Sequence, residues 1–204
     1  MKKHLAKAAA LFTVVLTLAG CSSAPTSSGW TALIDGASGM DNWTQSGSTA
    51  NWRGEDGAVQ ADKVTAGTGA SVLITKKNYR DLEVYAEFWA SDDTNSGIYV
   101  RAPDPKMVNT ASGAYEIQIW DKNPVAMYAT GSLVNSAAAN GTYKAGGRWN
   151  TCEIYVKGTE ITVKLNGVVT ASTPYAKTHE GRIGLQFNGN TGPIKVRKLL
   201  VREL

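Results

Sequence analysis

Alternation of apolar and polar residues at period two, interrupted every few residues by Gly, Asn, Asp and Ser, most limits what this chain can fold into. Residues 81–91 (DLEVYAEFWAS) put Leu82, Val84, Ala86 and Phe88 on one side and Glu83, Tyr85, Glu87 and Trp89 on the other. Successive side chains of a strand point to opposite faces, so this period marks a half-buried strand. The same reading applies to 96–102 (SGIYVRA), 113–121 (GAYEIQIWD), 181–188 (GRIGLQFN) and 194–203 (IKVRKLLVRE). Residues 150–170 read as a hairpin turning at Lys157-Gly158-Thr159, with a second turn at Asn166-Gly167. Asn-Gly is a strong hairpin signal, because a tight two-residue turn needs left-handed backbone at both positions. Beyond residue 30 no stretch has a convincing helical period, and Ala137 to Asn140 offers one turn at most. Many short antiparallel strands predict an all-β sandwich or barrel.

The first residues follow a different plan. Lys2, Lys3 and Lys7 lead into an apolar run from Ala8 to Leu18, which ends in Leu18-Ala19-Gly20-Cys21. A basic start, a short apolar stretch and small residues before a cut describe a secretory signal, and the run is too short to span a bilayer as a helix. Leu-Ala-Gly-Cys resembles the lipobox of bacterial lipoproteins, which implies cleavage before Cys21 and lipidation there; an ordinary signal with a chance Cys is the alternative. Ser22 rather than Asp after the Cys favours the outer membrane, if the envelope is Gram-negative. Residues 22–29 (SSAPTSSG) are small and polar and predict a flexible tether. The expected division is 1–20 signal peptide, 21–29 lipidated Cys and tether, and 30–204 a single domain in the cell envelope.

The sequence pI near 9.0 misleads. Setting aside Lys2, Lys3 and Lys7 leaves 18 cations against 17 carboxylates, with no block of like charge. Nucleic acid is therefore not an expected partner, since binding it needs clustered cations. Cys152 is the sole cysteine beyond Cys21 and lies in an apolar alternation, where it reads as a small buried hydrophobe.

Several strands carry one apolar face and one of Glu, Gln, Arg, Tyr and Trp. Aromatic rings stack on the C–H faces of sugars and amides bond their hydroxyls, so such a face suits carbohydrate; a merely solvated sheet face is the plainer alternative. The order of motifs favours the ligand. Gly29-Trp30-Thr31-Ala32-Leu33-Ile34-Asp35-Gly36, Asn42-Trp43, Trp52 with Asp56-Gly57-Ala58, and Tyr79-Arg80-Asp81-Leu82-Glu83 come first. Asn95-Ser96-Gly97-Ile98-Tyr99-Val100-Arg101, Tyr115-Glu116-Ile117-Gln118-Ile119 with Asp121, Thr130-Gly131, Trp149-Asn150, Leu165-Asn166-Gly167 and Gly181-Arg182-Ile183-Gly184-Leu185-Gln186 follow. Over residues 29–204 the chain resembles the 3-keto-disaccharide hydrolase family, once a domain of unknown function (DUF1080). The resemblance implies a concanavalin A-like jelly-roll sandwich of two antiparallel sheets. The chain departs from the family in three places. Phe187-Asn188-Gly189 stands where a His is common, Val196-Arg197-Lys198-Leu199 replaces Phe-Arg-Asn-Ile, and Leu133-Val134 replaces a Tyr.

Glucanases of this fold carry Glu-x-Asp-x-Glu on one strand; here that strand reads Glu116, Gln118, Trp120, so direct glycosidase chemistry with two carboxylates is poorly supported. The activity implied by the resemblance needs less. A ketone at C3 acidifies the C2 proton, one base removes it, the enolate expels the aglycone from C1, and water adds. The expected catalytic residues are Glu116 as base, Arg101 holding the C3 oxygen, and Asp121 helping from the rim or ligating a cation. Gln118, Gln186 and Asn188 are expected to bind hydroxyls, with Tyr99 and Trp120 as stacking surfaces. Arg101 paired with Glu116 as a structural contact is the plainer alternative. Trp43 and Trp52 are expected in packing roles, and His179 in a solvated turn. One His beyond the signal argues against zinc, while Asp- and Asn-rich loops leave room for a divalent cation such as calcium. The leading expectation is an envelope lipoprotein that cleaves 3-keto-glycosides. The alternatives are a non-catalytic, lectin-like carbohydrate-binding lipoprotein and a structural envelope protein.

Overall fold

The computed structural model describes residues 24–25, 28–106, 108–174, 178–189 and 191–204. Cys21 and the signal segment lie outside the described residues. Thirteen strands form the described chain: β1 (Thr31–Asp35), β2 (Trp43–Ala50), β3 (Arg53–Glu55), β4 (Ala58–Ala61), β5 (Val64–Thr75), β6 (Leu82–Ala90), β7 (Ser96–Ala102), β8 (Tyr115–Ile119), β9 (Arg148–Lys157), β10 (Glu160–Leu165), β11 (Val168–Thr173), β12 (Arg182–Asn188) and β13 (Ile194–Glu203). They make two antiparallel sheets. The eight-stranded sheet has the order β11-β10-β9-β6-β13-β4-β3, with β1 also on β13; the five-stranded sheet has the order β2-β5-β12-β7-β8.

The alternation explains the layering. Leu82, Val84, Ala86 and Phe88 of β6 are all buried and meet Ile98, Val100, Ile117, Leu185 and Phe187 from the smaller sheet in one core. Trp43 and Trp52 are also core residues, and the Trp52 indole donates to Ser71 Oγ at 3.2 Å. Cys152 is buried in the same core, and burial pushes its thiol up to about 12. The turn at Asn166-Gly167 has positive φ at both residues (51° and 80°), which joins β10 to β11 as the dipeptide predicts. His179 sits exposed in a bend.

Arg101 departs from the alternation. Its φ is 51°, left-handed backbone that disfavours a side chain with a Cβ. The strand turns there, and the guanidinium leaves the face shared by Tyr99 for the interior end of the sandwich. Its Nε donates to the Arg80 carbonyl at 2.7 Å, and Nη1 donates to the Gly158 and Thr178 carbonyls at 2.7 and 3.3 Å. Nη2 meets Asp81 Oδ1 at 2.8 Å, and the same carboxylate oxygen accepts from Gly158 N–H at 2.9 Å. The Arg101 side chain is 0% exposed. One cation thus ties the entrance of β6, the β9–β10 turn and the loop before β12.

Candidate functional site

The outer face of the five-stranded sheet carries the candidate site, and the strand register assembles it. On β8, Ile117 and Ile119 enter the core, so Glu116 and Gln118 project from the opposite face. Tyr99 lies opposite Glu116 on one side and Gly184 on the other. In the next row Gly97 lies between Gln118 and Gln186. Glycines at 97 and 184 let neighbouring side chains cross this face. A Cβ at Gly97 would sit 2.9 Å from Glu116 Oε1 and 3.0 Å from its Cγ, and one at Gly184 would sit 2.9 Å from Val72 Cγ1. The Glu116 side chain therefore leans across Gly97 towards β12. There Gln186 Nε2 donates to Glu116 Oε1 at 2.9 Å and to Tyr99 Oη at 2.6 Å.

Glu116 is 7% exposed. Among the described residues no cation lies within ion-pair distance of it. Burial without a countercharge penalises the ionised form, and hydrogen bonds from Tyr99 and Gln186 offset only part of that. The carboxyl is raised to about 7. Burial, with Glu116 beside it, raises the Tyr99 phenol far above its ordinary range and keeps it protonated. A carboxylate poised near neutrality can accept a proton, and a neutral O–H and an amide stand bonded to it.

The other expected residues are placed as follows. Gln118 and Gln186 share the outer face with Glu116, and Asn188 lies two residues beyond Gln186 on the same strand. Trp120 follows β8 and is half-buried. Three expectations need correction. Arg101 does not join this group, because its reversed backbone and four hydrogen bonds commit it to the sandwich end. Asp121 is committed too. Its carboxylate accepts from Thr130 Oγ1 at 2.6 Å, from Ala145 N–H at 3.0 and 2.9 Å, and from Gly146 N–H at 2.8 Å. It anchors a loop rather than serving the rim. The Tyr99 ring is 2% exposed and packs with Val72, Ile74, Ala102 and Ala114, so it presents a hydroxyl and not a stacking surface. Among the described residues no group of three His, Cys, Asp or Glu side chains could hold a metal ion.

The sequence reading missed the part played by the two glycines, although a lone Gly inside a strand marks a close approach. It also missed the rim beside β8. There Gly131 and Val134 N–H groups bond the Gln118 and Glu116 carbonyls at 3.0 and 2.9 Å. Tyr128 stands on that rim, its hydroxyl donating to Asn135 Oδ1 at 2.9 Å.

Two antiparallel sheets packed face to face are the plan of the lectin-like β-sandwiches. A carbohydrate-binding module from Bacillus subtilis shares the fold, with a TM-score of 0.51 at 13% identity over 86% of this chain and 96% of that one. Two candidate glycosyl hydrolases from Parabacteroides distasonis are nearer in shape. One has a TM-score of 0.69 at 24% identity, over 86% of this chain and 99% of its own. The other has 0.70 at 16%, over 86% and 94%. The chain belongs to the family of 3-keto-alpha-glucoside-1,2-lyase-like domains, whose model matches residues 29–202. No curated protein matches it. The chain is thus a carbohydrate-active β-sandwich domain of that family.

Proposed function

We propose that this protein cleaves 3-keto-glycosides by elimination and hydration, with Glu116 as the base. The observation that carries the reading is a buried carboxylate, raised to about 7 and without a cation among the described residues, held by Gln186 and Tyr99 over Gly97. Glu116 takes the C2 proton, and negative charge moves to the C3 oxygen. As Glu116 gains the proton and loses its charge, Tyr99 Oη and the Gln186 amide turn their donors from it to that oxygen, the role that Arg101 cannot reach. The C1–O bond breaks as the C1=C2 double bond forms, and the aglycone departs as an alkoxide that takes its proton from the water whose hydroxide then adds at C1. The proton returns to C2 as it adds, which leaves the 3-keto sugar and regenerates Glu116. The non-catalytic, sugar-binding reading gains from Asn188 standing near where the family commonly carries His.

The test is incubation of the protein with a 3-keto-glucoside bearing a chromogenic aglycone. Release with kcat/KM rising through about pH 7, as Glu116 loses its proton, is the expected result. No release at any pH from 5 to 9 sinks the enzymatic reading and leaves the binding one.

We further propose that Cys21 is lipidated and tethers the domain in the cell envelope, at the outer membrane of a Gram-negative host. The basic start, the apolar run to Leu18 and Leu-Ala-Gly-Cys support this. Metabolic labelling with palmitate is expected to mark the wild type and not Cys21→Ala; equal labelling of both would defeat it.

A further inference from the structure

A concavity of mixed apolar and polar lining lies on the other side of the molecule, on the outer face of the eight-stranded sheet. Its volume is about 470 Å³, within the range of small-molecule sites, and Trp30, Tyr85, Tyr155, Glu153, Thr162 and Lys164 line it. Two adjacent rows of the sheet make its floor. Thr162, Tyr155 and Glu83 lie in one row with Arg202, and Lys164, Glu153 and Tyr85 lie in the next. Trp30 forms a wall, its ring held by the Arg202 guanidinium 5.0 Å from the centroid, while Arg202 also pairs with Glu83.

The chemistry of this lining narrows the ligand. Trp30 and Tyr155, both half-buried, supply ring and edge surface for C–H groups, while Tyr85 is buried in the floor. Around them stand two carboxylates and two cations, so the lining has no net preference for an anion or a cation. Lys164 Nζ is 3.8 Å from Glu153 Oε2, which keeps the two opposite charges side by side on the floor. The polar groups exclude a purely apolar guest, because desolvating them unpaired is unfavourable. A neutral molecule with apolar C–H faces and hydroxyls on its edges satisfies all of these conditions.

We propose that this groove is a second, non-catalytic saccharide site that takes a neutral mono- or disaccharide. It lies on the sheet opposite Glu116, so both sites can be filled at once. Its occupation does not require the chemistry proposed for Glu116. A glycan held there would keep the domain on a polymeric or surface-bound substrate.

The test is calorimetric titration of the full chain with maltose, cellobiose, trehalose and N,N′-diacetylchitobiose. At least one is expected to bind the wild type and Glu116→Gln alike, while Trp30→Ala and Tyr155→Ala each weaken that binding about tenfold or more. Tyr155→Ala is the decisive variant if Trp30→Ala melts early, because Tyr155 is half-buried on the solvent face. Tyr155→Ala is also expected to leave release from the 3-keto-glucoside unchanged. Absence of binding by all four sugars overturns the proposal. So does binding that survives Tyr155→Ala, or that is lost in Glu116→Gln, which would move the sugar to the other sheet. A failure of the 3-keto-glucoside assay leaves this titration unaffected.

Discussion

Glu116→Gln is expected to slow aglycone release from a 3-keto-glucoside by about 10²–10⁴-fold, the usual contribution of a positioned general base, and at the same time to make the protein more stable at pH 8. The two effects share one cause. The carboxyl titrates near 7 in the fold and near 4.5 in an unfolded chain. Between those values the folded state binds more protons, so stability falls as pH rises, and the penalty is fully present above about 7. The amide removes the charge and keeps the size. A gain on the order of 2–3 kcal/mol is expected at pH 8, shrinking to nothing near pH 4. For a domain of this size that is roughly 5–10 °C in melting temperature. Thermal melts of both proteins at the two pH values, beside the release assay, check it. A variant that loses activity without gaining stability at pH 8 would show that Glu116 is not a charge buried at the fold's expense.

Arg101→Met is expected to do the reverse, with a large loss of stability and turnover per folded molecule kept within a few-fold. The substitution leaves the Arg80, Gly158 and Thr178 carbonyls and the Asp81 carboxylate without their shared donor. Breaking a buried ion pair by removing one partner costs about 3–5 kcal/mol. The left-handed backbone at residue 101 remains, and nothing then holds it. A drop of roughly 10–15 °C in melting temperature is expected. Activity is measured below the new transition, normalised to folded protein by near-UV circular dichroism. A stable variant with no turnover would return Arg101 to the reaction.

The contrast between Glu116 and Arg101 shows where sequence patterning reaches and where it stops. Residues 81–103 and 113–203 announce their strands because apolar and polar positions alternate with high contrast. The segments that became β2 and β5 (WTQSGSTA and VTAGTGASVLIT) do not, since Ser, Thr, Gly and Ala give little contrast between faces. They are strands because β5 finds partners on both sides, in β2 and β12. Glu116, Gln118 and Gln186 were legible for the same reason as their strands. Arg101 was misplaced because parity counting assumes an unbroken strand, and a single left-handed residue reverses it. Asp121 was misplaced because its partners at 145 and 146 lie more than twenty residues away, across a loop with no periodic signal. The burial of Glu116 between Tyr99 and Gln186 was hidden too, since it belongs to the fold and not to any local motif.

The place of β13 bears on how the chain is made. This strand pairs with β6 along one side and with both β4 and β1 along the other. Until residue 203 leaves the ribosome, β1 and β4 have no neighbour linking them to β6, and the larger sheet exists only as separate ribbons. Sequentially distant pairings of this kind form slowly and late. Until then strand edges stand free and invite association with other chains. The chain therefore places a heavy demand on whatever keeps it from aggregating before its last strand pairs.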